Sequence, residues 1–496
     1  MTYETGKRWL AAVLGLALAG AAGRSAQAYD PATTHAGLTE RAVMASKLNH
    51  VLAGAFGKPL GLFETITLDG QQMPEPARRD LRDRLSLLDP GQGYRPGDDG
   101  SATALSWVVA GAVLSGTPGD RARNTFFDPS RKVGLHQGGN AAEVVHSLRL
   151  VMDEGGSPRG LATGTSFDFS GMPATQWLLA PQNDVGLAAF YAQLEQSVTA
   201  AAAPARATAL ARALLALGGT LGVLEDAGEP AHVRNDFRQA YLGNSGGSPF
   251  DRSSAFERFV ADTYGRSGLP AAAPAVDRPS VLAFISAPDA QGLADRTQRR
   301  FFSPGSLPAD AVVEKDTNTH DVVTQARDSL PYGLPGIPRL ELREMGRLRY
   351  LETNEGDGSP NRRRLMAYRR VPGRVRFFLD GAVYADSARV LLPEIGAYAA
   401  GLINHLFRVE LVLSVNDGSA VLKVAGIRGA LRSGKLRLYT EDVQGQRSLA
   451  ITRDVSGNQE ITAGLPLPKG IRRVAAVLVG EDEAGTVVSV VDRLVP

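Results

Sequence analysis

Leu210, Leu214, Leu217, Leu221 and Leu224 recur at helical spacing through RATALARALLALGGTLGVLED (206–226) and predict a helix with one core-facing stripe. Gly228 and Pro230 end it. The stretches 185–200 and 253–264 carry weaker forms of the same period. In 380–408, DGAVYADSARVLLPEIGAYAAGLINHLFR predicts a long apolar helix pair broken at Pro393. Residues 265–280, GRSGLPAAAPAVDRPS, have the composition of a loop or linker. From 409 the period falls to two. VELVLSV, AVLKVAG, KLRLYT, SLAITR, QEITAG, RRVAAVLVG and TVVSVVDRL are predicted strands, separated by NDG, SG, QG and SGN turns, and together suggest a small β-sandwich. The expected fold is mainly α: a multi-helix domain over 29–408, then a C-terminal β-sandwich over 409–496, with no internal repeat.

The N-terminus adds an address. Lys7 and Arg8 precede WLAAVLGLALAGAA, and Ala26-Gln27-Ala28 supplies the small residues of a cleavage site. Residues 1–28 are therefore predicted to be a signal peptide, which makes the mature chain secreted or periplasmic and starts it at Tyr29. No later stretch is expected to cross a bilayer. A chain of 496 residues exceeds one compact core, and 43% hydrophobic with 21% charged residues excludes a mainly disordered chain. A net charge of +2 gives no whole-molecule pull toward nucleic acid or an acidic partner. With no cysteine, any metal must be held by histidine, carboxylate or backbone.

Candidate chemistry gathers around LGVLEDAGEPAHVRNDF (221–237). Asp226 and His232 stand where a metal would want them, yet Gly222, one turn earlier on the same face, can bind nothing. Glu257, in SSAFERFV, follows on the next helix, and His35 lies close behind Tyr29, whose free amine and carbonyl could join it at a metal.

In the order TTHAGLTERA, NTFFDPSRKVGL, LGVLEDAGEPAHVRND and SAFERFV, the chain resembles the zinc-dependent phospholipase C family and the fungal single-strand nucleases of the same helical fold. The resemblance covers roughly residues 29–260, and more loosely 380–408. It implies a phospholipase C-like helical domain. It also implies metal roles for Tyr29, His35, Asp226, His232 and Glu257, with Asp226 as the bridging residue and the catalytic candidate. Four other ligand positions fall on Gly116, Thr125, Gly222 and Ser253. Sorted by metal, the ion needing 116, 125 and 222 has lost all three ligands. The ion needing 232, 253 and 257 keeps two, and the ion of Tyr29, His35 and Asp226 is nominally intact. The resemblance thus implies at most one zinc ion rather than three.

Each candidate has a plainer reading. Asp226 could cap a helix end, Glu257 could be a surface carboxylate, and Asp120 could be a turn residue. His136, His146, His320 and His405 read as ordinary histidines. GNSGG (243–247) matches a nucleophile elbow but lacks the preceding strand. The basic run NRRRLMAYRRVPGRVRFF (361–378) is expected to be a solvated loop that could also grip lipid head groups or phosphates. Two functions stay open: hydrolysis of a phosphodiester, with phospholipid the favoured substrate class, or a non-catalytic secreted protein binding a lipid or cell-envelope partner. There is no clear nucleic-acid signature.

Overall fold

A π-helical turn at Pro31–His35 leads into helix α1 (Ala36–Ala45), followed by α2 (Ala104–Leu114), α3 (Leu187–Thr199) and α4 (Ala203–Asp226). Beyond α4 come the short α5 (Pro230–Val233), α6 (Ala255–Tyr264), α7 (Leu293–Arg300) and the long α8 (Gly381–Leu406). The computed structural model describes residues 31–495 except 117–118, 136–137, 141–165, 169, 237–253, 308–310, 313–339, 346–347, 355–361, 372–373, 417–418, 458–462 and 468–469. The fold is mainly α with a C-terminal β-region, as the pattern of periods predicts.

Helix α4 departs from the single stripe expected of it. From Thr208 to Asp226 every residue except Arg212 is buried, so apolar faces look outward all round and α4 is the central helix of the core. By length and composition it could cross a membrane, but 89% of its most apolar stretch lies inside the fold. Three glycines let α2 lie directly on it. A Cβ at Gly218 would sit 2.8 Å from Ala112 N, and one at Gly111 would sit 3.0 Å from Gly219 N. At Gly222 a Cβ would meet Ser115 Cβ at 2.7 Å and Ala112 O at 2.9 Å.

Helix α8 is continuous through Pro393, where the pattern predicts a break. An interior proline costs about 3 kcal/mol, but Leu391, Leu392 and Ile395 around it are all buried, and that burial outweighs the lost hydrogen bond. The segment 265–280 is a loop lying along this helix and not a connection between domains. Ala273 N donates to Pro393 O at 3.0 Å and Val276 N to Ala397 O at 3.1 Å.

Between α7 and α8 the chain forms a five-stranded antiparallel sheet, which the sequence reading missed. Its strands are β1 (Ala311–Val312), β2 (Leu340–Met345), β3 (Leu348–Asn354), β4 (Arg362–Val371) and β5 (Arg374–Phe378), in spatial order β1-β5-β4-β3-β2. The basic run is therefore two paired strands and not a solvated loop. Arg363 is buried over the Phe301 ring at 4.3 Å and donates to Arg300 O at 3.0 Å. Arg364 grips Asp386 of α8 through its backbone N at 2.9 Å and its Nε at 2.8 Å. Only Arg369 and Arg376, directly opposed across β4 and β5, are exposed among those whose side chains are described.

The C-terminal region pairs β6 (Glu410–Asn416), β7 (Ser419–Ala425) and β10 (Ala463–Pro466) in one sheet. A second sheet orders β9 (Arg447–Gly457), β8 (Leu431–Glu441), β11 (Arg473–Asp482) and β12 (Gly485–Leu494). Leu411, Leu413, Leu422, Leu436, Leu438 and Leu478 fill the space between them as in a sandwich. Tyr439, Ala475, Val477, Val488 and Val490, from the second sheet, join the helical core instead. A sheet buried on both faces explains the unbroken apolar run of RRVAAVLVG. Buried ion pairs rim this junction: Arg206 with Glu441 at 2.6 Å, and Arg447 with Glu441 at 2.7 Å and Asp492 at 2.8 Å.

Candidate metal centre

Two carboxylates close the last turn of α4. Glu225 and Asp226 are fully buried at the negative end of a 24-residue helix, where both burial and the helix dipole oppose their charge. His35, also fully buried just before α1, answers them. Its Nδ1 lies 2.6 Å from Glu225 Oε2 and its Nε2 3.0 Å from Asp226 Oδ1, while Thr39 Oγ1 donates to Glu225 Oε1 at 2.7 Å. Burial alone would lower the His35 pKa. The charge of Asp226 and the hydrogen bonds His35 donates to both carboxylates overcome this and raise it to about 10. Burial pushes the Glu225 carboxyl up, against its bonds to His35 and Thr39. The imidazolium thus supplies the positive charge that two carboxylates at a helix end require.

A second group lies at the next turn. Glu229, His232 and Glu257 bring one ligand atom each to within 4.8 Å of one another. Glu229 caps α5: its Oε2 accepts from His232 N at 2.9 Å and its Oε1 from Ser254 Oγ at 2.9 Å. Glu257 sits in the capping box of α6, where Ser254 N donates to Glu257 Oε2 at 2.6 Å and Glu257 N donates back to Ser254 Oγ at 3.1 Å. Burial raises the Glu229 carboxyl to about 8, outweighing those hydrogen bonds.

His232 is held in one tautomer. Thr125 Oγ1 spends its only hydrogen on Ala122 O at 2.9 Å, so in its 3.2 Å contact with His232 Nδ1 it accepts. The proton is then on Nδ1 and the lone pair on Nε2, an atom with no hydrogen-bond partner among the described residues. Burial lowers the His232 pKa to about 4, and Phe126 stacks on the ring at 3.8 Å and 14°. A neutral imidazole with a free Nε2 is the form that ligates zinc.

The structure brings His35 to Asp226, and His232 to Glu257. Tyr29, Ser253, His136, His146, His320 and GNSGG lie outside the described residues. Asp226 Oδ2 has no hydrogen-bond partner among the described residues, so Asp226 is not the helix cap of its plainer reading. Glu257 is 1% exposed and not a surface carboxylate. His405 is also buried rather than at the surface.

Three participants were missed. Glu225 was passed over beside Asp226, although an acid inside an apolar helix signals a buried partner. Glu229 was passed over too, although Glu-Pro ahead of a short helix marks a cap. Thr125 was counted only as a lost ligand, yet it orients His232.

The donors of one group fit an ion. Two carboxylates and one imidazole nitrogen suit zinc at Glu229, His232 and Glu257. At Gly222, Ser115 and the backbone of α2 occupy the space an imidazole would need.

No family model matches the chain, and no curated protein matches it. Among solved structures, alpha toxin from Clostridium absonum shares 10% identity over 94% of this chain and 95% of its own, with a TM-score of 0.23. Clostridium perfringens alpha-toxin from an avian strain shares 9% over 95% and 99%, with a TM-score of 0.21. R. palustris CsgH shares 21% over 17% of this chain and 90% of its own, with a TM-score of 0.12. Superpositions this loose leave the function to be read from the residues themselves.

Proposed function

We propose that this chain is a secreted, zinc-binding protein of the phospholipase C-like plan, reduced to one ion and acting by binding a lipid or cell-envelope surface rather than by hydrolysis. The observation that supports this reading is the close approach of Ser115 to Gly222, where a Cβ would already meet Ser115 Cβ at 2.7 Å, at a position the resemblance assigns to a metal ligand. Glu229, His232 and Glu257 would hold the remaining ion. When bound, zinc would supply a fixed positive charge among buried carboxylates and could lower the pKa of a bound water. The protein's own part is to present His232 Nε2 through Thr125 and to hold both carboxylates with Ser254. Phosphodiester hydrolysis is the competing reading, favoured by Asp226 Oδ2, which lacks a hydrogen-bond partner among the described residues.

The test is metal content per molecule of the purified mature protein, alongside hydrolysis of phosphatidylcholine vesicles. One zinc, lost in Glu229→Gln and Glu257→Gln, with no released headgroup supports the binding reading. Two or more zinc ions, or headgroup release that depends on Asp226, overturns it.

A further inference from the structure

Away from the carboxylate cluster, a cavity of about 450 Å³ opens between the first half of α4, the helix Glu75–Leu85 and the loop before α3. Its size is that of a small-molecule site. Three arginines face two aspartates around it: Arg84, Arg121 and Arg212 against Asp80 and Asp184. Asp184 is shared. Arg84 Nη1 donates to its Oδ1 at 3.2 Å and Arg121 Nη1 donates to the same oxygen at 2.9 Å. Asp80, 3.1 Å from Arg84 Nη2, lies on the same helix face one turn away and is largely exposed.

That leaves one cation over. Arg212, the single residue of α4 between Thr208 and Asp226 that is not buried, makes no ion pair or hydrogen bond among the described residues. Burial lowers its pKa, with only the charge of Asp184 opposing. Arg84 is 7% exposed, and its Nε has no hydrogen-bond partner among the described residues. Leu81, Val185 and Leu215 supply an apolar wall. A half-buried guanidinium with no ion pair, and a buried Arg84 Nε with no acceptor in the lining of the same cavity, form an arrangement that an oxyanion completes.

We propose that this cavity binds a phosphate monoester, free or as a lipid headgroup, with Arg212 as its main charged contact. Phosphate suits the cavity because a monoester offers three terminal oxygens to the guanidiniums, where a carboxylate offers two. The site is independent of the metal centre, so either can fail without the other.

The experiment titrates the full mature chain with glycerol 3-phosphate by calorimetry, and separately sediments it with phosphatidylcholine vesicles with and without phosphatidic acid. Saturable binding of glycerol 3-phosphate identifies a free-ester site, and binding only to vesicles containing phosphatidic acid identifies a headgroup site. In either case Arg212→Gln should weaken binding on the order of tenfold or more, as expected for a lost charge-assisted contact. Its melting temperature should hold or rise, because an unpaired cation has been removed. Arg212→Lys, which keeps the charge without the fork, should fall between the two. Equal binding by all three chains, or no saturable binding of either probe at millimolar concentration, overturns the proposal.

Discussion

In its middle turns α4 presents Gly218 and Gly222 and lets α2 rest on its backbone, whereas in its last turn it presents Glu225 and Asp226 to a buried histidine. The two stretches are consecutive on one helix and equally buried. In the first, burial is complete because glycines let the partner helix approach the backbone, with the Thr220 hydroxyl the buried polar group left without a hydrogen-bond partner among the described residues. In the second, burial is tolerated because each charge has an opposite charge within hydrogen-bonding distance. The difference explains why candidate ligand atoms gather at one end only: they collect where polar side chains face one another, not where glycines bring backbones together.

Breaking the charged end should have the largest effect. Glu225→Leu leaves the His35–Asp226 pair but removes the acceptor of two buried donors, His35 Nδ1–H and Thr39 Oγ1–H, and should cost about 2–5 kcal/mol, read as a fall in melting temperature of the metal-free chain. A melting temperature equal to that of the natural chain would mean that Glu225 is not the counter-ion described here.

Next comes the seam. Gly222→His should cost about 1–3 kcal/mol by overpacking against Ser115 and bind no additional zinc. The triple change Gly116→Asp, Thr125→His and Gly222→His should likewise gain no metal. Extra zinc in a well-folded triple variant would show that the seam opens and that the two halves of α4 are less different than described.

Thr125→Val sharpens the comparison at the boundary between the two regions. It removes the acceptor of His232 Nδ1–H and should cost about 1 kcal/mol, with zinc affinity falling about 10–100-fold as the imidazole loses its orientation. Unchanged affinity would detach Thr125 from the site.

The smallest effect lies outside α4 and sets the background for acid titrations. Burial, then Arg408 and Arg428, hold the His405 pKa down to about 4, against 6.5 for an ordinary histidine. The unfolded chain therefore binds more protons between those values. Stability from the neutral ring is fully present above pH 6.5 and is lost as pH falls toward 4. His405→Phe should reduce the slope of melting temperature against pH across that window, and an unaltered slope would assign it to His232, whose pKa burial also lowers to about 4.

Much of this was legible in the chain itself. Periods of 3.6 and 2 placed α4, α8 and the C-terminal strands, because burying one face of a regular element imposes its period on the sequence. The spacing of Asp226 and His232, with His35 and Glu257 in order around them, marked a polar centre. What sequence could not decide was every question of approach. Arg363 and Arg364 read as solvated until a sheet set them against Phe301 and Asp386. Pro393 read as a break until buried neighbours carried the helix through it. Gly222 read as an emptied ligand position, and only the path of α2 shows it as a contact surface. Local pattern is fixed by each element's own periodicity, but the distance between elements far apart in sequence is set by packing. A metal site, a counter-ion and a glycine seam are all statements about that distance.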